Sequence, residues 1–248
     1  ETVGATMGEL FADIPDSLRP KSFDLPDGMS EFAVKSHLEK MSARNNACLI
    51  NFLGGGFYDH FVPAVVDHVM GRSEFYTAYT PYQPEASQGT LQALYEFQSA
   101  INRLTEMDAT NASLYDGGTA IYEAIIMAMR CTRGRRRVLV CETVNPIYRK
   151  MIRSYMRNLN IALVEVPPTP EGLTDRETMA KHLDDTVAAV VVQTPNFFGC
   201  LDDMADVAEL AHAAGALMVL SYYPTSLGLM KTPGAMGADI ATAEGQCL

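Results

Sequence analysis

Hydrophobic positions in the second half of the chain follow two alternating periods. Short runs rich in Val, Ile and Leu are typical of buried strands, whereas apolar residues spaced by three and four are typical of helices packed on one face. The pattern predicts strands at Arg137–Cys141, Ile161–Val166, Val187–Gln193, Leu217–Ser221 and Ala238–Ala243, and helices at Pro146–Leu159, Asp175–Leu183 and Asp202–Ala214. This alternation predicts an α/β fold: a mostly parallel sheet with helices on both faces, in three α/β/α layers.

The first half of the chain is less regular. Helices are predicted at Glu31–Ala43, Pro63–Met70 and Thr90–Leu104, and a strand over Ala47–Leu53 before three glycines. We therefore expect an N-terminal arm and helix over residues 1–45 and an incomplete large α/β domain over residues 46–248. Because the sequence begins without Met and stops just after a strand-like segment, we expect it to be a fragment.

A turn at Asp116–Thr119 precedes a strongly amphipathic helix. The apolar spacing there comes from Ile121, Ala124, Ile125, Ala128 and Met129. The first N–H groups of a helix lack partners within it, and the helix dipole adds positive character, so a Gly-Gly-Thr turn at this place suits a phosphate or carboxylate. The alternative is an ordinary helix capped by Asp116 or Thr119.

Polar residues follow the predicted strands. They are Glu142–Asn145, Thr194–Asn196, Tyr222–Ser226 and Glu244–Gln246. In parallel sheets ligands bind outside the carboxyl ends of the strands. The sequence therefore predicts a polar pocket that combines these ends with the Gly117-Gly118 helix start.

Composition narrows the classes of function. The chain has 248 residues, 48% hydrophobic and 20% charged, as expected for a globular protein, and its formal net charge of −11 argues against nucleic acid as a partner. The five cysteines form no Cys-x-x-Cys pair, so we interpret them as reduced core residues of a cytoplasmic protein, and no metal site is predicted. No apolar run reaches transmembrane length.

Two nucleotide-binding motifs are excluded by spacing. The glycines at Gly54–Gly56 do not fit Gly-x-Gly-x-x-Gly, because Asp59 stands at the third glycine position. No Gly-Lys-Ser/Thr follows a glycine-rich turn, which argues against a P-loop NTPase.

Three longer motifs identify a family. Asn51-Phe-Leu-Gly-Gly-Gly-Phe-Tyr-Asp-His60, Tyr79-Thr-Pro-Tyr-Gln-Pro-Glu-Ala-Ser-Gln-Gly-Thr-Leu-Gln92 and Asn111-Ala-Ser-Leu-Tyr-Asp-Gly-Gly-Thr119 resemble the glycine cleavage system P-protein family. The resemblance covers nearly the whole chain and is closest to the alpha subunit of its split form, glycine dehydrogenase (decarboxylating). It implies the fold-type-I architecture of pyridoxal-phosphate enzymes, here without the C-terminal small domain.

The resemblance implies a reaction that needs a lysine. In this family glycine is decarboxylated on pyridoxal phosphate, and the aminomethyl group passes to the lipoyl arm of the H-protein. Comparison with the catalytic subunit's motif places Gln246 where the Schiff-base lysine belongs and Ser221 where a carboxylate should end a strand. Since a glutamine cannot replace that lysine, no catalytic residue is predicted.

We therefore expect a non-catalytic alpha subunit that supports a beta subunit carrying the cofactor, in an αβ dimer or a dimer of such dimers. Residues retained from a cofactor site would be Gly117, Gly118, Thr119, Asn145, Thr194, Asn196, Ser221 and Gln246. The aromatic, Pro-rich segment Phe75–Gly89 is predicted to be an irregular loop at a subunit contact or site edge, with Tyr79, Tyr82, Gln83, Glu85 and Gln88 as candidates.

Two alternatives stay open at this stage. One is a self-sufficient pyridoxal-phosphate enzyme of the aminotransferase or decarboxylase type, with Lys231 as the nearest available lysine. The other is a pure assembly module that contributes nothing to an active site.

Overall fold

The computed structural model describes residues 4–22, 24–56, 58–76 and 79–247. Contacts within the chain group it into two units, residues 1–52 and residues 53–248. The division at residue 45 into an arm and a large domain stays a prediction.

The first unit consists of short helices. Helix α1 spans Met7–Leu10, a 3₁₀ turn covers Asp16–Leu18, and helix α2 spans Glu31–Ser42, close to the predicted bounds. Helix α2 begins where Ser30 accepts a hydrogen bond from the backbone N–H of Ala33.

The strand predicted over Ala47–Leu53 is wrong. The structure describes all of these residues, and none of them lies in a strand. Leu49, Ile50 and Phe52 are largely exposed. A β-strand needs a neighbouring strand for its backbone hydrogen bonds, and an apolar run alone does not show whether one is present.

Three helices precede the sheet in the second unit. Helix α3 spans Ala64–Met70, α4 spans Ser73–Tyr76 and α5 spans Pro84–Thr105. The prediction of an irregular segment from Phe75 to Gly89 is therefore wrong at both ends. Proline is tolerated in the first turn of a helix, where its missing N–H has no partner to lose. The backbone at Ser87 departs from helical geometry (φ −116°, ψ 20°), which marks a kink in α5.

The remaining elements alternate as predicted. They are helix α6 Gly117–Cys131, strand β1 Arg137–Cys141, helix α7 Pro146–Met156, strand β2 Ala162–Val166, helix α8 Arg176–His182, strand β3 Val187–Thr194, helix α9 Ala205–Ala213, strand β4 Leu217–Tyr222 and strand β5 Ile240–Ala243. The five strands pair in the order β2-β1-β3-β4-β5, with every pairing parallel. This arrangement confirms the predicted parallel α/β fold.

The sheet separates two apolar layers. One layer packs α6 and α7 against alternate strand residues and contains Ile121, Ile125, Ile152, Val138, Val140, Val191 and Val219. The other packs α8 and α9 against the opposite face and contains Met179, Val207, Ala208, Leu139, Val190, Val192 and Leu220. Successive strand residues point to opposite faces, so strands buried on both faces are continuously apolar.

Only one of the five cysteines is a buried core residue. Cys141 in β1 is buried, and burial raises the pKa of its thiol to about 12. Cys48 and Cys131 are exposed, so the prediction of five core cysteines is wrong. In the ranges that the structure describes, none of the helices is both long and apolar enough to cross a membrane.

The contact of α6 with the sheet gives a first prediction. Ile125 is fully buried between α6 and the sheet, whereas Met127 on the same helix is largely exposed. Ile125→Ala should lower the free energy of unfolding by about 2–5 kcal/mol, because it leaves a cavity in the core. Met127→Ala is the control and should change it by less than about 0.5 kcal/mol. Denaturant unfolding of the full chain measures both, and equal effects would contradict the packing.

Candidate functional site

The amino terminus of α6 lies at the carboxyl end of β5. Asp116 is the N-cap of the helix: its Oδ1 accepts a hydrogen bond from the backbone N–H of Thr119 at 2.8 Å, and its Oδ2 accepts one from the Thr119 hydroxyl at 3.0 Å. The capped helix considered from the sequence is therefore present, with Asp116 as the cap.

A second carboxylate occupies the same helix start. Glu244 follows β5, and its Oε1 accepts hydrogen bonds from the backbone N–H of Gly117 at 2.8 Å and from the hydroxyl of Tyr148 in α7 at 2.6 Å. The anion that the turn is suited to bind is thus supplied by the chain itself.

The glycines of the turn are needed for this close approach. A Cβ atom at Gly117 would lie 2.7 Å from Glu244 Oε1 and 2.7 Å from the Tyr148 hydroxyl. A Cβ atom at Gly118 would lie 2.5 Å from the sulfur of Met151. Neither glycine has a positive φ. Glycine is therefore required at both positions because it has no side chain, and not because of its backbone freedom.

The surroundings of Tyr148 favour the protonated form of its hydroxyl group. Burial raises the pKa of its hydroxyl above the ordinary value, and the hydrogen bond to Glu244 raises it further. Tyr148 therefore stays protonated at neutral pH and donates to the carboxylate. Two carboxylates, from Asp116 and Glu244, then face the positive end of the α6 dipole, which leaves an unfavourable place for a further anion.

Asn145 lies at the carboxyl end of β1 and is committed to its own loop. Its Oδ1 accepts a hydrogen bond from the N–H of Ile147 at 2.9 Å and caps α7. Its backbone N–H donates to Oε1 of Gln193 at 2.9 Å, and Gln193 Nε2 donates to the carbonyl of Pro195 at 3.1 Å. Through these two hydrogen bonds, the Gln193 side chain connects the ends of β1 and β3. From the sequence, Gln193 was expected only as the last residue of a strand, and this role was not predicted.

Thr194 and Asn196 hold the loop after β3. The Thr194 hydroxyl donates to the carbonyl of Asp202 at 2.9 Å. Asn196 Nδ2 donates to the carbonyl of Gly172 at 2.8 Å, while its Oδ1 accepts from the N–H groups of Phe198 and Cys200 at 3.0 and 3.1 Å. These side chains stabilise loop geometry.

The positions where the resemblance implies catalytic side chains lie in different surroundings. Ser221 is buried in β4, in register with Thr242 of β5. Gln246 is exposed in the turn after β5. Lys231 forms an ion pair with Asp203, with 2.5 Å between Nζ and Oδ2, and its side chain is 58% exposed. Among the described residues, no cluster of His, Cys, Asp and Glu is arranged to hold a metal ion.

An aromatic group near β4 was missed in the sequence. The hydroxyl of Tyr223 lies 3.1 Å from Nε2 of His60, and its ring meets the ring of Tyr58 edge-on, with 5.5 Å between centroids. Tyr58 and His60 lie in one segment, and Tyr223 lies 163 residues after His60, so no local spacing predicted the contact.

The predicted contact residues lie at the surface of the second unit. Tyr79 and Tyr82 are 87% and 82% exposed. Gln83 is the N-cap of α5, and Glu85 and Gln88 belong to its first turns and not to a loop. Gln88 Nε2 donates to the carbonyl of Glu85 at 3.2 Å.

Comparison with known proteins decides the family. The family described as "Glycine cleavage system P-protein" matches residues 1–248. The chain belongs to the glycine cleavage system P-protein family.

Curated members of the P-protein family match at high identity. "Probable glycine dehydrogenase (decarboxylating) subunit 1" of Nitratidesulfovibrio vulgaris is 56% identical over 243 residues, covering 98% of this chain and 54% of the relative. The protein of the same name in Solidesulfovibrio magneticus is 55% identical over 249 residues, covering 100% of this chain and 56% of the relative. The chain thus spans about half the length of the curated relatives it matches.

Solved structures agree with the fold. A crystal structure of glycine decarboxylase (P-protein) of the glycine cleavage system, in inhibitor-bound form, is 44% identical with a TM-score of 0.90, covering 99% of this chain and 55% of that one. A sphingosine-1-phosphate lyase from Burkholderia pseudomallei is 14% identical with a TM-score of 0.59, covering 83% of this chain and 50% of that one, which shows the fold alone.

The packing at Gly117 gives a second prediction. Gly117→Ala should lower the free energy of unfolding by about 1–3 kcal/mol, because the new methyl group separates the Glu244 carboxylate from its donors. The control is Gly89→Ala in α5, where a Cβ atom meets nothing within 4 Å and helix propensity should add up to about 1 kcal/mol of stability. Thermal unfolding of both variants checks this, and a Gly117→Ala chain as stable as wild type would refute the contact.

Proposed function

We propose that the chain is the non-catalytic alpha subunit of a glycine dehydrogenase (decarboxylating) of the glycine cleavage system. The complex decarboxylates glycine and passes the aminomethyl group to the lipoyl H-protein, and the partner beta subunit carries pyridoxal phosphate. Support comes from the family and from curated relatives named subunit 1.

The surroundings of Gln246 carry the proposal. Gln246 stands where the resemblance implies a Schiff-base lysine, and its side chain is exposed. Lys231, the nearest lysine in the sequence, forms a surface ion pair with Asp203. An amide is not a nucleophile toward an aldehyde, so Gln246 cannot form the Schiff base. No observation favours the self-sufficient enzyme.

The residues present do not fit pyridoxal phosphate. At the start of α6, the backbone N–H groups of Gly117 and Thr119 are engaged by Glu244 and Asp116. Asn145, Thr194 and Asn196 use their side chains within their own loops. We therefore propose that the partner subunit holds the cofactor.

The partner subunit is proposed to cover the segment around Tyr79 and Tyr82. Exposed aromatic side chains are frequent anchors of protein interfaces, and these two stand just before α5. The name subunit 1 of the curated relatives implies a second subunit, and we propose an αβ dimer or a dimer of such dimers. A cytoplasmic location stays a prediction.

Glycine–bicarbonate exchange tests the division of roles. Exchange measured with the full chain alone, the beta subunit alone and the two together should rise above background only when the beta subunit is present. Lys231→Ala should leave the exchange rate of the pair unchanged, because the ion pair with Asp203 lies at the surface. Exchange by this chain alone with pyridoxal phosphate, abolished by Lys231→Ala, would refute the proposal.

Substitution of both tyrosines tests the contact surface. Tyr79→Ala with Tyr82→Ala should weaken binding to the beta subunit at least about tenfold, because buried aromatic anchors commonly contribute that much. The matched control, Tyr79→Phe with Tyr82→Phe, keeps the rings and should lose less affinity. Sedimentation of the mixed subunits measures the affinity. If the double alanine variant keeps both assembly and turnover, the segment is not the contact.

A further inference from the structure

We propose that a group of exposed arginines at the amino end of the sheet is a docking surface for an acidic segment of another protein. This basic surface consists of Arg130, Arg133, Arg136 and Arg157. It lies at the opposite end of the strands from the polar residues of the candidate site, so the inference does not depend on the proposed division of catalysis.

Helices α6 and α7 end on the same side of the fold. A Cβ atom at Gly118 would lie 2.5 Å from the sulfur of Met151. One turn further along each helix, the rings of Tyr122 and Tyr155 meet with 5.1 Å between their centroids. The two helices therefore run side by side in the same direction, and both of their carboxyl ends lie at the amino end of the parallel sheet.

The four arginines occupy these helix ends and the start of β1. Arg130 lies in the last turn of α6, and Arg157 is the C-cap residue of α7. Arg133 and Arg136 lie between α6 and β1. The carbonyl of Arg136 accepts a hydrogen bond from the N–H of Ala162 at 2.8 Å, where β2 begins. All four arginines are exposed, so their charges face solvent along one end of the fold.

Neighbouring arginines differ because they have partners within the chain. Arg135 Nη1 donates hydrogen bonds to the carbonyls of Val187 and Ala214, both at 2.9 Å. Arg137 pairs with Asp184, with 2.6 Å between Nη1 and Oδ2. Both side chains therefore stabilise the fold and are engaged within it.

The basic surface has no such partners. Among the residues that the structure describes, none forms a hydrogen bond or an ion pair with the side chains of its four arginines. Glu165 of β2 is engaged by Arg149 and Arg153 of α7. Asp185 is exposed before β3, on the other side of β1 from β2. The chain thus leaves the four positive charges unpaired.

The helix dipole explains only part of the basic surface. Cations stabilise the carboxyl end of a helix, but the effect falls off beyond the last turn. It accounts for Arg130 and Arg157, whereas Arg133 and Arg136 follow the end of α6 at Cys131. Arginines that have neither a dipole role nor a partner in the chain are available to bind an anionic group.

The composition of the basic surface favours an acidic protein as its partner. The planar fork of arginine matches a carboxylate with two parallel hydrogen bonds. Beside Arg157, Tyr155 and Leu159 are 49% and 37% exposed, and arginine and aromatic residues are enriched in protein interfaces. A nucleic acid would meet a chain with a formal net charge of −11. The occupant is therefore a segment rich in Asp and Glu that places an apolar side chain against Tyr155.

A synthetic peptide of glutamates with one central leucine is the probe. The full chain is prepared as wild type, as Arg133→Gln with Arg136→Gln, and as the control Lys35→Gln with Lys40→Gln, which removes the same charge from exposed positions of α2. Fluorescence anisotropy of the labelled peptide measures the affinity. The arginine pair variant should bind at least about tenfold more weakly than wild type and the control less than about twofold more weakly. Added salt should weaken binding by the wild type.

Substitution of Tyr155 separates a protein interface from a simple polyanion site. Tyr155→Ala should weaken binding of the leucine-containing peptide but not of a peptide of glutamates alone, because only the first has an apolar side chain to lose contact. An unchanged affinity of Tyr155→Ala for the leucine-containing peptide would overturn the assignment to a protein segment.

The remaining outcomes decide the proposal. Absence of peptide binding in the wild type, or equal affinities of the arginine pair variant and the control, would overturn it. So would single-stranded RNA or phosphatidylglycerol vesicles that bind more tightly than the peptide and lose binding in the arginine pair variant. The unfolding midpoint of each variant checks its folding, which exposed, unpaired side chains should leave unchanged. If the pair variant does not fold, Arg157→Gln replaces it and should also weaken binding, and an unchanged affinity there would overturn the proposal.

Discussion

The structure at the carboxyl edge of the sheet depends on one requirement: the backbone N–H groups at the start of α6 need hydrogen-bond acceptors. The helix begins with two buried glycines, and its first N–H groups must find acceptors away from water. Asp116 meets this need from the preceding turn, and Glu244 meets it from the end of β5. Because Glu244 also accepts from Tyr148, a single carboxylate joins β5, α6 and α7. Packing of Ile121 and Ile125 against the sheet then fixes the rest of the helix.

Several polar side chains at the same edge of the sheet form hydrogen bonds within the chain. In a parallel sheet the strand ends collect polar side chains, and in an enzyme some of these face a ligand. Here Asn145 caps a helix, Thr194 and Asn196 shape a loop, and Gln193 joins two strand ends. Hydrogen bonds that are satisfied within the chain stabilise the fold. At the same edge, the buried hydroxyls of Thr143 and Thr242 have no hydrogen-bond partner among the described residues. The engagement of Asn145, Thr194 and Asn196 within their own loops supports the proposal that the chemistry takes place in a partner subunit.

The sequence pattern predicted the secondary structure more accurately in the second half of the chain than in the first half. From Arg137 onward the sequence located each strand within about two residues. The central strands β1, β3 and β4 are buried on both faces, so their apolar runs are continuous. The segment from Ala47 to Leu53 is equally apolar but forms no strand, because local pattern does not show whether a neighbouring strand exists. Asp116, Gly117 and Gly118 could be identified from the sequence because they form a short turn directly before an amphipathic helix. The contact between Glu244 and Gly117 joins residues 127 positions apart, which no local pattern encodes.

The most direct test of the central claim is to locate the cofactor in the assembled complex. Reduction with borohydride attaches pyridoxal phosphate permanently to the lysine that holds it, and peptide mass mapping then identifies that lysine. A pyridoxyl group is expected on the beta subunit, and none on Lys231 or any other lysine of this chain. A stoichiometric pyridoxyl group on a lysine of this chain would contradict it.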